Sequence, residues 1–153
     1  MNFKPFSRKQ LELLCWWTEQ SPYKDRDACI CDGAVRSGKT LCMSISFVLW
    51  AFSAFSGASF ALCGKTVTAL KRNIIVPLCE QLGELGFRCE IKASQNHMIV
   101  SKGARFNRFY FFGGRDESSA ALIQGMTLSG ALLDEVALMP RSFVEQTVAR
   151  CSV

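Results

Sequence analysis

Gly33-Ala34-Val35-Arg36-Ser37-Gly38-Lys39-Thr40 matches the pattern G-x-x-x-x-G-K-[ST] at every defined position. Each position has a mechanical role. The glycines let backbone N–H groups close around a β-phosphate, and Lys39 reaches the β- and γ-phosphates. Thr40 offers a hydroxyl to Mg²⁺, and a helix starting here points its positive end at the anion. The flanks suit this reading. Residues 27–32 are a short, mostly apolar run of strand length ending at the first glycine. Residues 41–55 contain neither proline nor glycine and have the size of a helix. Strand, glycine loop and helix in that order are what the chemistry requires.

The complementary half is Gly130-Ala131-Leu132-Leu133-Asp134-Glu135, an apolar strand ending in two acids. An acid at the carboxyl end of a parallel strand lies at the crevice where α/β sheets bind ligands. Asp134 is expected to hold Mg²⁺, a hard cation that prefers oxygen ligands. Glu135 is placed to orient and activate the water attacking the γ-phosphate. A water-activating residue has no use in a small-molecule kinase, so the doublet favours ATP hydrolysis coupled to motion.

The remaining composition narrows the class. The chain has 153 residues, about one domain, and 49% hydrophobic side chains. No C-x-x-C occurs among the eight cysteines, and His97 is the only histidine. The cysteines therefore read as small apolar residues in a reducing cytosol rather than as disulfide or zinc ligands. The start, Met-Asn-Phe-Lys-Pro, has no apolar core following it and is not a signal peptide. The run 41–55 is too short for a membrane span and is broken by Ser44, Ser46 and Ser53. A P-loop helix buried on most sides has this character. The net charge of +5 permits weak attraction to nucleic acid without requiring it. Lys71-Arg72 reads as a solvated helix face.

Further elements follow from periodicity and punctuation. A first helix spans 7–20 with Ser7 as N-cap, and strands are expected at 59–63, 87–92, 97–100 and 106–112. Residues 66–85 read as a helix that Pro77 kinks or divides, ended by Gly86. The aromatic run 106–112 reads as core rather than a base-stacking platform. A helical turn at 120–123 precedes the acidic strand, and Pro140 opens a helix over 141–151. The expected fold is an α/β P-loop NTPase. Its sheet is mostly parallel and flanked by helices, in the branch with an additional strand between the P-loop and acidic strands.

The succession GAVRSGKT, FALCGKT with LKRNIIVPL, then FYFFGGRDESSAALIQGMTLSGALLDEVALMP, resembles the large terminase subunit of tailed bacteriophages and prophages. The resemblance covers nearly the whole chain and is most specific over residues 113–140. It implies an ATPase that pumps double-stranded viral DNA into a procapsid, working in the bacterial host cytoplasm. It implies ATP and Mg²⁺ as cofactors, and a portal protein and small terminase subunit as partners of a homo-oligomeric ring. In such motors a glutamine at the place of Gln10, within the segment 1–24, reads adenine. An arginine at the place of Arg36 senses or stabilises the γ-phosphate. The nucleotide-binding set is then Gly33, Ala34, Val35, Arg36, Ser37, Gly38, Lys39, Thr40 and Gln10. Family members are much longer, so residues 1–153 are expected to form an incomplete N-terminal ATPase domain. The coupling strand and nuclease domain are not among these residues, and no nuclease activity is expected. Two alternatives stay open: another P-loop DNA motor of helicase type, and a nucleotide-binding fragment that does not hydrolyse.

Overall fold

The computed structural model describes residues 6–32 and 38–152. Helix α1 (Arg8–Cys15) is followed by turns, then by α2 (Lys39–Ala54) and strand β1 (Ser59–Gly64). A long helical stretch comes next, as α3 (Val67–Leu70), a wide turn (Lys71–Ile75) and α4 (Val76–Glu84). Strands β2 (Arg88–Lys92), β3 (His97–Lys102) and β4 (Arg105–Gly113) lead to α5 (Glu117–Gln124), β5 (Gly130–Leu133) and α6 (Arg141–Ala149). The sheet order is β2-β3-β4-β1-β5. β1 pairs in parallel with both β4 and β5, whereas β3 is antiparallel to β2 and β4. Four strands therefore run one way and β3 alone is reversed.

Alternation along the strands builds two cores. Phe60 and Leu62 of β1, Phe109 and Phe111 of β4, and Leu132 of β5 pack under α2 and α4. Ala61 and Cys63, with Phe112, face the opposite side, where Ile123, Met139 and Phe143 cover them. Phe60 is the hub. It stacks on Phe109 at 5.2 Å and meets Phe47, Trp50 and Phe55 edge-on at 5.7, 5.8 and 5.6 Å. Trp50 also lies over Gly130, where a Cβ would fall 2.7 Å from the indole.

Ser44 and Ser46, two of the three serines that break the apolar run of α2, are buried and tied, while Ser53 is exposed. Ser44 Oγ donates to Thr40 O at 2.8 Å. Ser46 Oγ donates to Leu13 O at 2.7 Å and accepts from Trp17 Nε1 at 3.1 Å. The Ser46 bonds strap α1 and the segment after it onto α2, and each serine leaves a buried polar group satisfied. Among the described residues no helix is long and apolar enough to cross a membrane.

Three expectations are corrected. Residues 27–32 are not part of the sheet, and Ile30 is 89% exposed. An apolar run becomes a strand only where a neighbour completes its hydrogen bonds. Among the described residues, 27–32 have no such neighbour, while the chain leaving α6 runs beside the start of β5. Leu128 N–H donates to Arg150 O and Ser152 N–H donates to Leu128 O, both at 2.9 Å, in a parallel bridge with Cys151. The same bridge ends α6 earlier than residue 151. The first helix is shorter than 7–20, because Thr18 turns its N–H and hydroxyl back onto Cys15 O at 3.0 and 2.8 Å. Ser7 does cap α1.

Phe60→Ala is expected to destabilise the chain by about 3–5 kcal/mol, through lost burial and a cavity the neighbouring rings cannot fill. Urea unfolding followed by tryptophan fluorescence measures it. A loss under ~1 kcal/mol would contradict Phe60 as the hub of the core.

Candidate active site

Gly38 occupies the left-handed region (φ 75°) as N-cap of α2, placing Lys39 and Thr40 in the first helical turn. The C-terminal half of α2 packs on the start of β1 through Trp50 and Phe60, so its N-terminus lies toward the carboxyl end of that strand. β5 ends at the same edge, since Cys63 pairs with Leu133. Asp134 N–H then donates to Cys63 O at 2.8 Å, carrying the register one residue further. The Asp134 carboxyl is half-buried. Burial, then the Glu135 charge, raises its pKa above the ordinary aspartate value, and the Lys39 ammonium pulls it back down. That electrostatic contact joins the two motifs at one place.

Glu135 itself adopts the left-handed backbone region (φ 53°), unusual for a residue with a side chain, before the short turn Val136–Leu138. Such a conformation costs of order 1–3 kcal/mol and concentrates at functional sites. Next to it lies a cavity of about 270 Å³, whose wall includes Lys65, Arg72, Asn73, Asp134 and Glu135.

The loops at this edge are stitched together. Gly114 N–H donates to Gly64 O at 2.8 Å and Arg115 N–H to Lys65 O at 3.1 Å. The Asp116 carboxylate accepts from Val67 N–H at 3.3 Å, and the buried Ser119 hydroxyl accepts from Gly113 N–H at 3.2 Å. Gly113 is required here, because a Cβ would lie 2.8 Å from Thr66 Cα and would collide with the Asp116 carboxylate. This explains the glycine turn of residues 113–114 as a packing constraint beside the site.

The expected residues fall as follows. Gly38, Lys39, Thr40, Asp134 and Glu135 converge on the carboxyl edge of the sheet. Gln10 is brought to the same region, since a Cβ on Gly38 would sit 2.8 Å from its Nε2. Its Oε1 accepts from Ser7 N–H at 2.9 Å, completing the capping box of α1. Gly33, Ala34, Val35, Arg36 and Ser37 lie outside the described residues. Lys65, Arg72 and Asn73 are additions that the sequence reading does not contain. Arg72 belongs there to a solvated face, and Pro77 is the one signal that the helix is irregular at this point.

Among the described residues no group of three or more His, Cys, Asp or Glu could hold a metal by itself. The donor set suits Mg²⁺ nonetheless. A half-buried carboxyl whose ionisation is penalised by burial, and a threonine hydroxyl position on the facing helix turn, are hard oxygen donors. Mg²⁺ is commonly held by one or two such groups plus phosphate oxygens and water.

Comparison with known proteins identifies the family. Residues 30–152 match the family described as terminase large subunit, T4likevirus-type, N-terminal. The chain is similar to the large terminase of a thermophilic bacteriophage, with 51% identity and a TM-score of 0.95 over 98% of this chain and 37% of that one. The same thermophilic phage protein in complex with ADP matches at 50% identity and TM-score 0.92, over 97% of this chain and 36% of that one. Its complex with ATP-gamma-S matches at 48% and 0.90, again over 97% and 36%. The chain thus spans little more than a third of that protein's length. The ATPase domain of the large terminase from Thermus phage P74-26, at 17% identity and TM-score 0.52 over 75% of this chain and 52% of that one, shares the fold. No curated protein matches.

The raised Asp134 pKa has a stability consequence of definite sign. The folded state binds this proton more tightly than the unfolded chain, so ionised Asp134 is a burden above its folded pKa, relieved as pH falls through it. Asp134→Asn is therefore expected to raise the melting temperature of the ligand-free chain at pH 7, and to narrow the gap to wild type at pH 4. Differential scanning calorimetry reads both; a lower melting temperature at pH 7 would contradict the assignment.

Proposed function

Because the chain belongs to the family of terminase large subunits, T4likevirus-type, N-terminal, we propose that its sheet edge is an ATP-hydrolysing site serving a viral DNA-packaging motor. Lys39 holds the β- and γ-phosphates at the N-terminus of α2, where the helix dipole adds to its charge. Glu135 orients the attacking water and takes its proton as the bond to the γ-phosphorus forms. Asp134 and Thr40 hold Mg²⁺, which when bound neutralises charge on the phosphate oxygens. Arg36 supports the γ-phosphate with a planar, permanently charged group. Gln10 reads the adenine edge from a side chain that the α1 capping box keeps from swinging freely.

The single observation supporting this reading is the reach of the Lys39 charge to Asp134 across the carboxyl edge of the sheet. The ADP and ATP-gamma-S complexes of the thermophilic phage's large terminase add to it. Family membership supports a wider reading. Double-stranded viral DNA is the cargo, a portal protein and small subunit are the partners, and a ring of copies works in the bacterial host cytoplasm.

Nucleotide binding by fluorescence anisotropy and phosphate release by a coupled assay test the site. Lys39→Ala is expected to lose nucleotide binding. Glu135→Gln is expected to retain binding and to slow hydrolysis by roughly 10²–10⁴-fold, the usual contribution of a general base. Equal turnover by Glu135→Gln and wild type would remove Glu135 from the mechanism.

A further inference from the structure

Between α3 and α4 the helix widens by one residue. Val76 N–H donates to Lys71 O, five residues back, instead of closing an ordinary turn. The cause is one position further on. Pro77 has no N–H for the carbonyl of Asn73, and its ring crowds that carbonyl, so the chain relieves the clash with a wide turn. Turns of this kind are rare and frequently occur at functional sites. Here the wide turn carries Arg72 and Asn73, and both line the cavity whose wall also includes Asp134 and Glu135.

Arg72 is exposed, and its Nε makes a long hydrogen bond to the neighbouring Asn73 Oδ1 at 3.4 Å. That contact engages the inner part of the guanidinium; the Nη groups form the end that grips an oxyanion. The cavity wall includes Gly64 and Lys65 from the β1 end together with Asp134 and Glu135 from the β5 end. A phosphate placed there meets two carboxylates, and Lys65 and Arg72 are the cations of the wall that can offset them.

We propose that Arg72 contacts the terminal phosphate of a bound nucleoside triphosphate from the cavity wall it shares with Glu135, and thereby distinguishes triphosphate from diphosphate. The inference rests on the nucleotide-site reading above. It makes Pro77 part of the site's construction, since the wide turn presents Arg72 to the cavity.

The test is calorimetric titration of the 153-residue chain with ATP-gamma-S and with ADP, each with Mg²⁺. Wild type, Arg72→Ala, Arg72→Lys, Asn73→Ala and Lys39→Ala are compared, with circular dichroism melts to show that each variant folds. Arg72→Ala is expected to weaken ATP-gamma-S by roughly 10–100-fold, the effect of a lost charge-assisted hydrogen bond. ADP affinity should stay within about threefold on the same scale. Arg72→Lys should recover part of the loss, and Asn73→Ala should show a smaller loss of the same kind. An unchanged ratio of the two affinities in Arg72→Ala, or equal weakening of both, overturns the Arg72 assignment alone. Wild type binding neither nucleotide overturns the nucleotide-site reading and this one with it.

Discussion

The parallel register of β1 between β4 and β5 is the constraint on which the site depends. Parallel pairing sets Gly64 beside Gly113 and Cys63 beside Leu133, so three chain ends emerge along one edge. The same alternation buries Phe60 and Leu62 beneath α2. Once α2 is anchored there through Trp50 and Phe60, its N-terminus has one place to go, and Lys39 arrives near Asp134. Core packing and site geometry are thus one arrangement: aromatic contacts at one end of α2 aim the lysine at the other.

Close approach is the second theme. Gly113 and Gly130 are positions where a neighbour occupies the volume of a side chain: Thr66 and Asp116 in one case, the Trp50 ring in the other. Both glycines sit on strands that lead into or flank the site. The buried hydroxyls of Ser44 and Ser46 are spent on backbone carbonyls, and the Ser46 bond sets how α1 lies against α2 and hence where Gln10 meets Gly38. Of the two described non-glycine residues in the left-handed region, Asn96 is of a type that tolerates it, and Glu135 lies at the site. Consistency holds through most of the chain and breaks at the residue assigned to chemistry.

Much of this was legible in the residues. The glycine loop and the acidic doublet are spaced by chemistry, and strands such as 106–112 announce themselves by their aromatic run and the glycines that end it. What local pattern could not supply was partnership. Residues 27–32 carry strand-like side chains, yet membership of a sheet is a property of two segments, and no described strand pairs with them. The 66–85 helix was visible, and Pro77 warned of a break, but a proline does not announce whether a helix will kink, divide or widen. The widened stretch holds Lys71, which donates to Asn96 at 3.0 Å, and Arg72, which stays exposed on the wall of the cavity that also includes Asp134 and Glu135. Composition alone cannot separate those two fates.

Lys39 and Asp134, on two different motifs, share one electrostatic environment, and everything assigned to the site follows from that sharing. It is tested most directly by titrating the Asp134 carboxyl by carbon-detected NMR in the ligand-free wild type and in Lys39→Ala. Loss of the ammonium is expected to raise the Asp134 pKa further, because the two largest remaining influences, burial and Glu135, both favour the protonated form. An identical titration curve in the two proteins would place Lys39 out of reach of Asp134 and contradict the account.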